Sequence, residues 1–217
     1  MASNNPYTHF FYSNSYLSPL GRHDEAIAEM RKAMELDPLS RSIQSFGGKT
    51  FLWARHYQEA VKQYQAVNRL DPNFALNHQR LACLYALLGK FEDAVAEETK
   101  ARVLSGAKAE DVVASMSQVR QAVVAAGAMG YWSAELKLSE GPMQPPEGYS
   151  LPYGRAMVYA HLGKIDEALA NLERAYLDRE TQMTELAVEP NFDALRADPR
   201  FIDLGRRIGL GTGTVAH

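Results

Sequence analysis

The chain has 217 residues, with 23 Lys plus Arg against 26 Asp plus Glu, a formal net charge of −3 and 46% hydrophobic residues. These values exclude collagen, low-complexity disorder and a disulfide scaffold. The slight acidity also argues against a phosphate-backbone binder, which concentrates Lys and Arg on one face. The one cysteine, Cys83, cannot pair within the chain. The opening M-A-S-N-N-P-Y-T lacks the basic start and apolar run of a signal peptide. No apolar stretch is long enough to span a bilayer, so the expected setting is the cytoplasm.

In chain order, four segments share a frame: G-R-H-D-E-A-I-A-E-M from Gly21, R-H-Y-Q-E-A-V-K-Q-Y from Arg55, G-K-F-E-D-A-V-A-E-E from Gly89, and G-K-I-D-E-A-L-A-N-L from Gly163. Each places a glycine or a basic residue five positions before an alanine: Ala26, Ala60, Ala94 and Ala168. A weaker match, Y-W-S-A-E-L, carries Ala134. Successive alanines are 34, 34, 40 and 34 residues apart, and Pro38, Pro72 and Pro146 are spaced by 34 and 74. Two residue types thus report one period and the same six-residue insertion, between Ala94 and Ala134.

One period encodes helix, tight turn, helix. Leu81, Ala82, Leu84, Tyr85 and Leu88 recur at helical spacing, and Gly89 follows as a left-handed terminator. Phe91, Ala94, Val95, Ala101 and Leu104 continue as a second apolar stripe. Asp37-Pro38 and Asp71-Pro72 end the second helices of the first two periods, because proline cannot extend a helix. The alanines mark where two helices cross closely.

This pattern resembles the tetratricopeptide repeat. Signature points fall on Phe10, Leu17, Gly21, Ala26, Met30, Ala33 and Pro38; on Gly48, Phe51, Tyr57, Ala60, Tyr64 and Pro72; on Leu81, Ala82, Tyr85, Gly89, Phe91, Ala94 and Ala101; and on Ala156, Tyr159, Gly163, Ile165, Ala168, Leu172 and Ala175. The signature tryptophan is missing, and Gly106 stands where the third proline would be. The resemblance implies an all-α fold: a right-handed superhelical solenoid of antiparallel helix hairpins with C-terminal capping helices. Units are expected at about residues 7–40, 41–74, 75–108, a divergent 109–148 and 149–180. In the divergent unit a long helix precedes a short one around Trp132 to Glu140, followed by the turn-rich G-P-M-Q-P-P-E-G, where a local break in the superhelix is expected. The insertion is either tolerated or shapes a ledge for a ligand.

Residues 181–210 are expected to cap the open hydrophobic end of the stack. Asp198 is a plausible N-cap, Pro199 a first helical residue and Gly209 a terminator. This segment is similar to the closing segment after such arrays in bacterial multidomain regulators. The tail, residues 211–217, is expected to be disordered.

Catalytic signals are weak. G-G-K-T at Gly47 to Thr50 ends like a phosphate-binding loop, but Ile43 stands where its first glycine belongs and no strand precedes it. G-L-G-T-G from Gly209 leaves no room for a βαβ unit. None of the six histidines forms H-E-x-x-H, and Cys83 has no cysteine partner. Paired carboxylates such as Asp24-Glu25 and Glu97-Glu98 read as solvated helix faces. No enzyme activity, metal or cofactor is expected.

First helices of such a repeat line a concave face. By the resemblance, the ligand-facing positions hold Phe11, Tyr12, Ser15, Ser45, Phe46, Lys49, Trp53, Gln79, Arg80, Cys83 and Leu87, with Tyr153, Met157 and His161 from the last unit. Aromatic anchors beside Lys49 and Arg80 suit a peptide, while some of these rings also have a packing role between units. Of the clamp residues by which some family members hold a C-terminal carboxylate, only Arg80 matches; Phe11, Ser15, Phe46 and Leu76 occupy the other positions. A free acidic C-terminal pentapeptide is therefore not expected to bind. The resemblance implies a non-catalytic scaffold for a peptide or partner protein, with no nucleic acid and no membrane. The alternative is a regulatory or self-associating segment of a larger signalling or transcription protein, which includes a homodimer formed through an uncapped N-terminal hairpin.

Overall fold

The computed structural model describes residues 4–140 and 151–209. Two expectations fall outside them: the stiff connection at 141–148 and the disordered tail at 211–217. The described residues are all-α, without a strand.

Helix α1 (Pro6–Phe11) opens on Asn5, whose side chain accepts from the Tyr7 amide, and runs on as a π-helical turn over Tyr12–Leu17. There follow α2 (His23–Leu36), α3 (Arg41–Trp53), α4 (Tyr57–Leu70), α5 (Ala75–Leu87) and α6 (Phe91–Leu104). The series continues with α7 (Ala109–Ser139), α8 (Pro152–His161) and α9 (Ile165–Leu177). Two short 3₁₀ turns, Thr181–Glu185 and Pro190–Leu195, lead to α10 (Pro199–Arg207), which is capped by Asp198. Consecutive helices pack on one another from α1 through α9, the arrangement of a hairpin solenoid.

Four turns repeat one geometry. Gly21, Arg55, Gly89 and Gly163 sit at φ 71°, 63°, 71° and 69°. Each donates its amide to a carbonyl three residues back, while the next amide reaches five back, as in Arg55 to Leu52 and His56 to Phe51. This is the Schellman closure of a helix end. It turns the chain sharply enough for the following helix to lie against the preceding one. At the crossings Ala26, Ala60, Ala94 and Ala168 are buried, because a larger side chain would hold the backbones apart. Ala134, from the weakest match, is only half-buried.

The glycine pair that mimics a phosphate loop has a packing role. A Cβ on Gly48 would lie 2.5 Å from the Tyr64 ring, and one on Gly47 would lie 2.4 Å from the Met34 sulfur. Within α3, then, G-G is where α4 and α2 press closest.

The stretched unit breaks differently from expectation. Its helix folds back at Ala126 (φ −142°, ψ 15°) and Gly127 (φ 55°, ψ −132°), so the second limb starts just after Gly127 rather than near Trp132. Gly130 is the reason the limbs approach so closely: a Cβ there would meet the Ala122 carbonyl oxygen at 1.9 Å. Between α6 and this second limb lies a buried ion cluster. Arg102 Nε donates to Glu98 at 2.8 Å, with Glu135 3.7 Å from its Nη2.

Candidate functional site

Beginning from α3, Ser45, Phe46, Lys49 and Trp53 follow one another at helical spacing and share a face. From α5, Arg80 reaches that face and donates from Nη1 to Ser45 Oγ at 2.8 Å. Its guanidinium lies 4.2 Å from the Phe46 ring centre. The Lys49 ammonium lies 5.7 Å from Phe46 and 4.7 Å from Trp53. Both cations thus rest on aromatic faces, an electrostatic attraction that strengthens where water is excluded. Burial pushes the Arg80 pKa below its ordinary value.

Structure brings five of the expected residues into this cluster: Ser45, Phe46, Lys49, Trp53 and Arg80. Phe10 extends it, edge-on to Phe46 at 5.1 Å and to Phe11 at 4.9 Å. Phe11 (57% exposed) and Tyr12 (43%) are open, as is Ser15, and Tyr12 stacks on Tyr16 at 5.6 Å. Gln79 is buried, while Cys83 and Leu87 are half-buried against the central core. Tyr153 and Met157 lie apart on α8, with Tyr153 buried edge-on to Phe192 at 5.2 Å. His161 stacks on Trp132 at 4.0 Å and donates from Nε2 to Asn191 at 2.7 Å; burial holds its pKa below the ordinary value.

The α3 face is not empty. The segment after α9 returns to it, although more than 130 residues separate the two in sequence. Lys49 Nζ pairs with Glu185 Oε1 at 2.6 Å. Arg55, at the foot of α3, donates from Nη1 to the Val188 carbonyl at 2.8 Å and from Nη2 to Asp193 at 2.7 Å. Val188, whose carbonyl takes the Arg55 bond, is buried, Leu186 is buried in the apolar cluster of α8, α9 and α10, and Trp53 is only 2% exposed. Glu189 is buried too; desolvation, then the neighbouring Glu185 carboxylate, raise its pKa, and it accepts from the Asn191 amide.

Sequence reasoning did not select Arg55, Glu185, Val188, Asp193 or Asn191. One signal was present: at the turn position where the other three clear repeats carry glycine, the second carries Arg55. The others follow only from the return of the chain, which no local pattern announces.

A second concavity of about 1010 Å³ lies between the limbs of α7, lined by residues including Ala114, Gln118, Ala122, Met129, Ser133 and Lys137. Among the described residues no cluster of His, Cys, Asp and Glu is arranged to hold a metal, and no helix is long and apolar enough to cross a membrane.

A tetratricopeptide-repeat family profile matches residues 8–38. A TPR repeat-containing thioredoxin of Arabidopsis thaliana is 36% identical over 74 residues, 34% of this chain and 11% of that protein. Superkiller complex protein 3 of Homo sapiens is 27% identical over 82 residues, 38% of this chain and 5% of that protein. A small glutamine-rich tetratricopeptide repeat-containing protein of Mycosarcoma maydis is 34% identical over 71 residues, 32% of this chain and 20% of that protein. The matched stretch is at most a fifth of the length of these relatives. They come from a plant, an animal and a fungus, and so lend nothing to the likeness with bacterial regulators.

Proposed function

Because the chain is a tetratricopeptide-repeat protein, we propose that it is a non-catalytic scaffold that holds an extended peptide or partner protein on its concave face. The observation that carries this reading is the pair of cations on aromatic rings, Lys49 and Arg80 over Phe46 and Trp53, continued by the open rings of Phe11 and Tyr12. Aromatic and arginine anchors supply most of the binding energy in surfaces of this kind. The site comprises Phe11, Tyr12, Ser15, Ser45, Phe46, Lys49, Trp53, Gln79, Arg80 and Cys83, with Tyr153 and Met157 supporting its far wall.

Burial divides these residues into two groups for testing. Trp53→Ala would empty a buried site and cost about 3–5 kcal/mol of stability, so it cannot report on binding alone. Phe11→Ala and Tyr12→Ala remove exposed rings. Each should leave the melting temperature within about 2 °C and weaken a copurifying partner by about tenfold or more, read by calorimetry. Undiminished affinity in the double variant would remove the concave face from the reading.

A regulatory, self-associating role has one observation in its favour. Tyr7, Phe11, Tyr12, Tyr16 and Leu20 form an exposed apolar patch on α1 and the turn after it. Patches of this kind often mark interfaces. Sedimentation over a concentration series, with Tyr16→Ser as control, tests it: a concentration-dependent dimer abolished by the substitution supports it, and a monomer throughout removes it.

A further inference from the structure

Arg55 stands out on two independent grounds. Its φ of 63° is a left-handed angle that costs an L-residue energy; among the described non-glycine residues only Arg179, at 55° after α9, shares it, and at the turn between the two helices of a unit Gly21, Gly89 and Gly163 adopt it freely. Nothing in the turn itself calls for arginine. The side chain instead spends its donors outside the repeat, on the Val188 carbonyl and the Asp193 carboxylate. A strained residue persists where surrounding interactions over-determine it, and here those interactions are with the returning segment.

That segment lies on α3 as a ligand would. It offers one carboxylate to Lys49, then a backbone carbonyl, that of the buried Val188, and a further carboxylate to Arg55. Its two sides are held differently. Met183, Leu186, Phe192 and Leu195 belong to the apolar cluster of α8, α9 and α10. Its polar links to α3 and the turn after it run through Lys49 and Arg55, with Glu185 half-buried and Asp193 exposed at the rim. Separation would thus fall between the segment and α3, leaving the segment on α8–α10.

We propose that residues 184–193 are a built-in occupant of the concave face, latched by Arg55, and that the external partner of this face is a peptide of the same chemistry, folded in turns as this segment is over Thr181–Glu185 and Pro190–Leu195. That chemistry is an acidic residue followed by aliphatic residues, with another carboxylate eight residues on, as Asp193 follows Glu185, the buried Glu189 lying between them. The inference rests on the concave-face reading and names its partner class. Occupancy by the chain itself makes the face selective: a partner must displace a segment already in place, and its apparent affinity falls by the fraction of molecules that are closed. Recognition is along the peptide rather than at a terminal carboxylate.

The test uses the full chain and a fluorescent peptide, T-E-L-A-V-E-P-N-F-D-A, blocked at both ends. E185Q/D193N weakens the segment's hold and leaves Lys49 and Arg55 intact. By anisotropy it should bind the peptide at least tenfold more tightly than the wild-type chain does, and adding R55G should abolish that gain. Equal binding by wild type and E185Q/D193N overturns the built-in occupant. No binding by a folded E185Q/D193N overturns the partner class. In that case, a copurified partner that still binds in a Phe11- and Tyr12-dependent way shows that the concave-face reading stands alone; loss of both discards both. If E185Q/D193N does not fold, R55G carries the test, since glycine relieves the turn. Acrylamide quenching of Trp53 in a W132F background should then rise several-fold over the R55-containing chain, and unchanged quenching overturns the latch.

Discussion

At the scale of single residues, stability is set by how closely backbones approach and by what is buried where they meet. Gly48 faces the Tyr64 ring so closely that even a methyl group must displace it. Gly48→Ala should therefore cost about 1–3 kcal/mol in urea unfolding, although alanine is the better helix former. Glu135 is buried beside Arg102, which already pairs with Glu98. Desolvation, then the Glu98 carboxylate, push its pKa from 4.5 to about 8. A raised carboxylate pKa means that the folded state holds a proton which the unfolded state has released. Between pH 4.5 and about 8 the folded chain binds more protons, so stability falls as pH rises through that window. Glu135→Gln keeps the shape and removes this carboxylate's titration, leaving that of Glu98, whose pKa burial also raises. It should flatten the pH profile and stabilise the chain by about 1–3 kcal/mol at pH 8, measured by denaturant midpoints at pH 5 and pH 8.

At the scale of elements, the turns decide how helices follow one another. The Schellman turns at Gly21, Arg55, Gly89 and Gly163 give hairpins of similar geometry, and the alanine crossings let them nest. The stretched unit uses another device. Gly127 at φ 55°, ψ −132° occupies a region open almost solely to glycine, and Gly130 lets the returning limb touch Ala122. Gly127→Ala should cost about 1–3 kcal/mol and loosen the α7 hairpin specifically. Hydrogen exchange would show this as lost protection in residues 115–135 ahead of the rest of the chain. Uniform loss of protection would instead mean that the hairpin unfolds only with the whole array. Helices, their order and their turns were legible from glycine, alanine and proline spacing, because each element answers to its own local pattern. The exact fold-back in α7 was not. The run V-V-A-A-G-A-M-G is helix-forming at most positions, and whether the chain breaks at Gly127 or continues to Trp132 depends on packing against α6 and α8.

At the scale of the whole molecule, the array curves until its last segment meets its second hairpin. Lys49 then has an internal carboxylate and Arg55 an internal carbonyl and carboxylate, beside the buried Trp53. This closure changes what high salt should do. The Lys49–Glu185 pair is mostly shielded, whereas Arg55–Asp193 is open to solvent on the carboxylate side. Screening should weaken the second more than the first. Asp193→Ala should therefore reduce the difference in Trp53 quenching between 0.05 M and about 0.5 M salt, and Glu185→Ala should change it less. Equal effects would mean that both pairs see the same solvent.

The sequence by itself determined the period, the helix-turn-helix unit, the resemblance to the tetratricopeptide repeat and the row of aromatic and cationic side chains on one face of α3. All of these are written in short local spacings and their repetition at 34 residues with one interval of 40, where backbone geometry translates directly into residue type. Only the tertiary structure decided that Glu185, Val188 and Asp193 sit against that row. Their approach is the sum of small rotations over successive packed hairpins, and no single spacing encodes a sum. Even so, the accumulated curvature left one local trace: an arginine, held at a glycine's angle, where the chain comes back to itself.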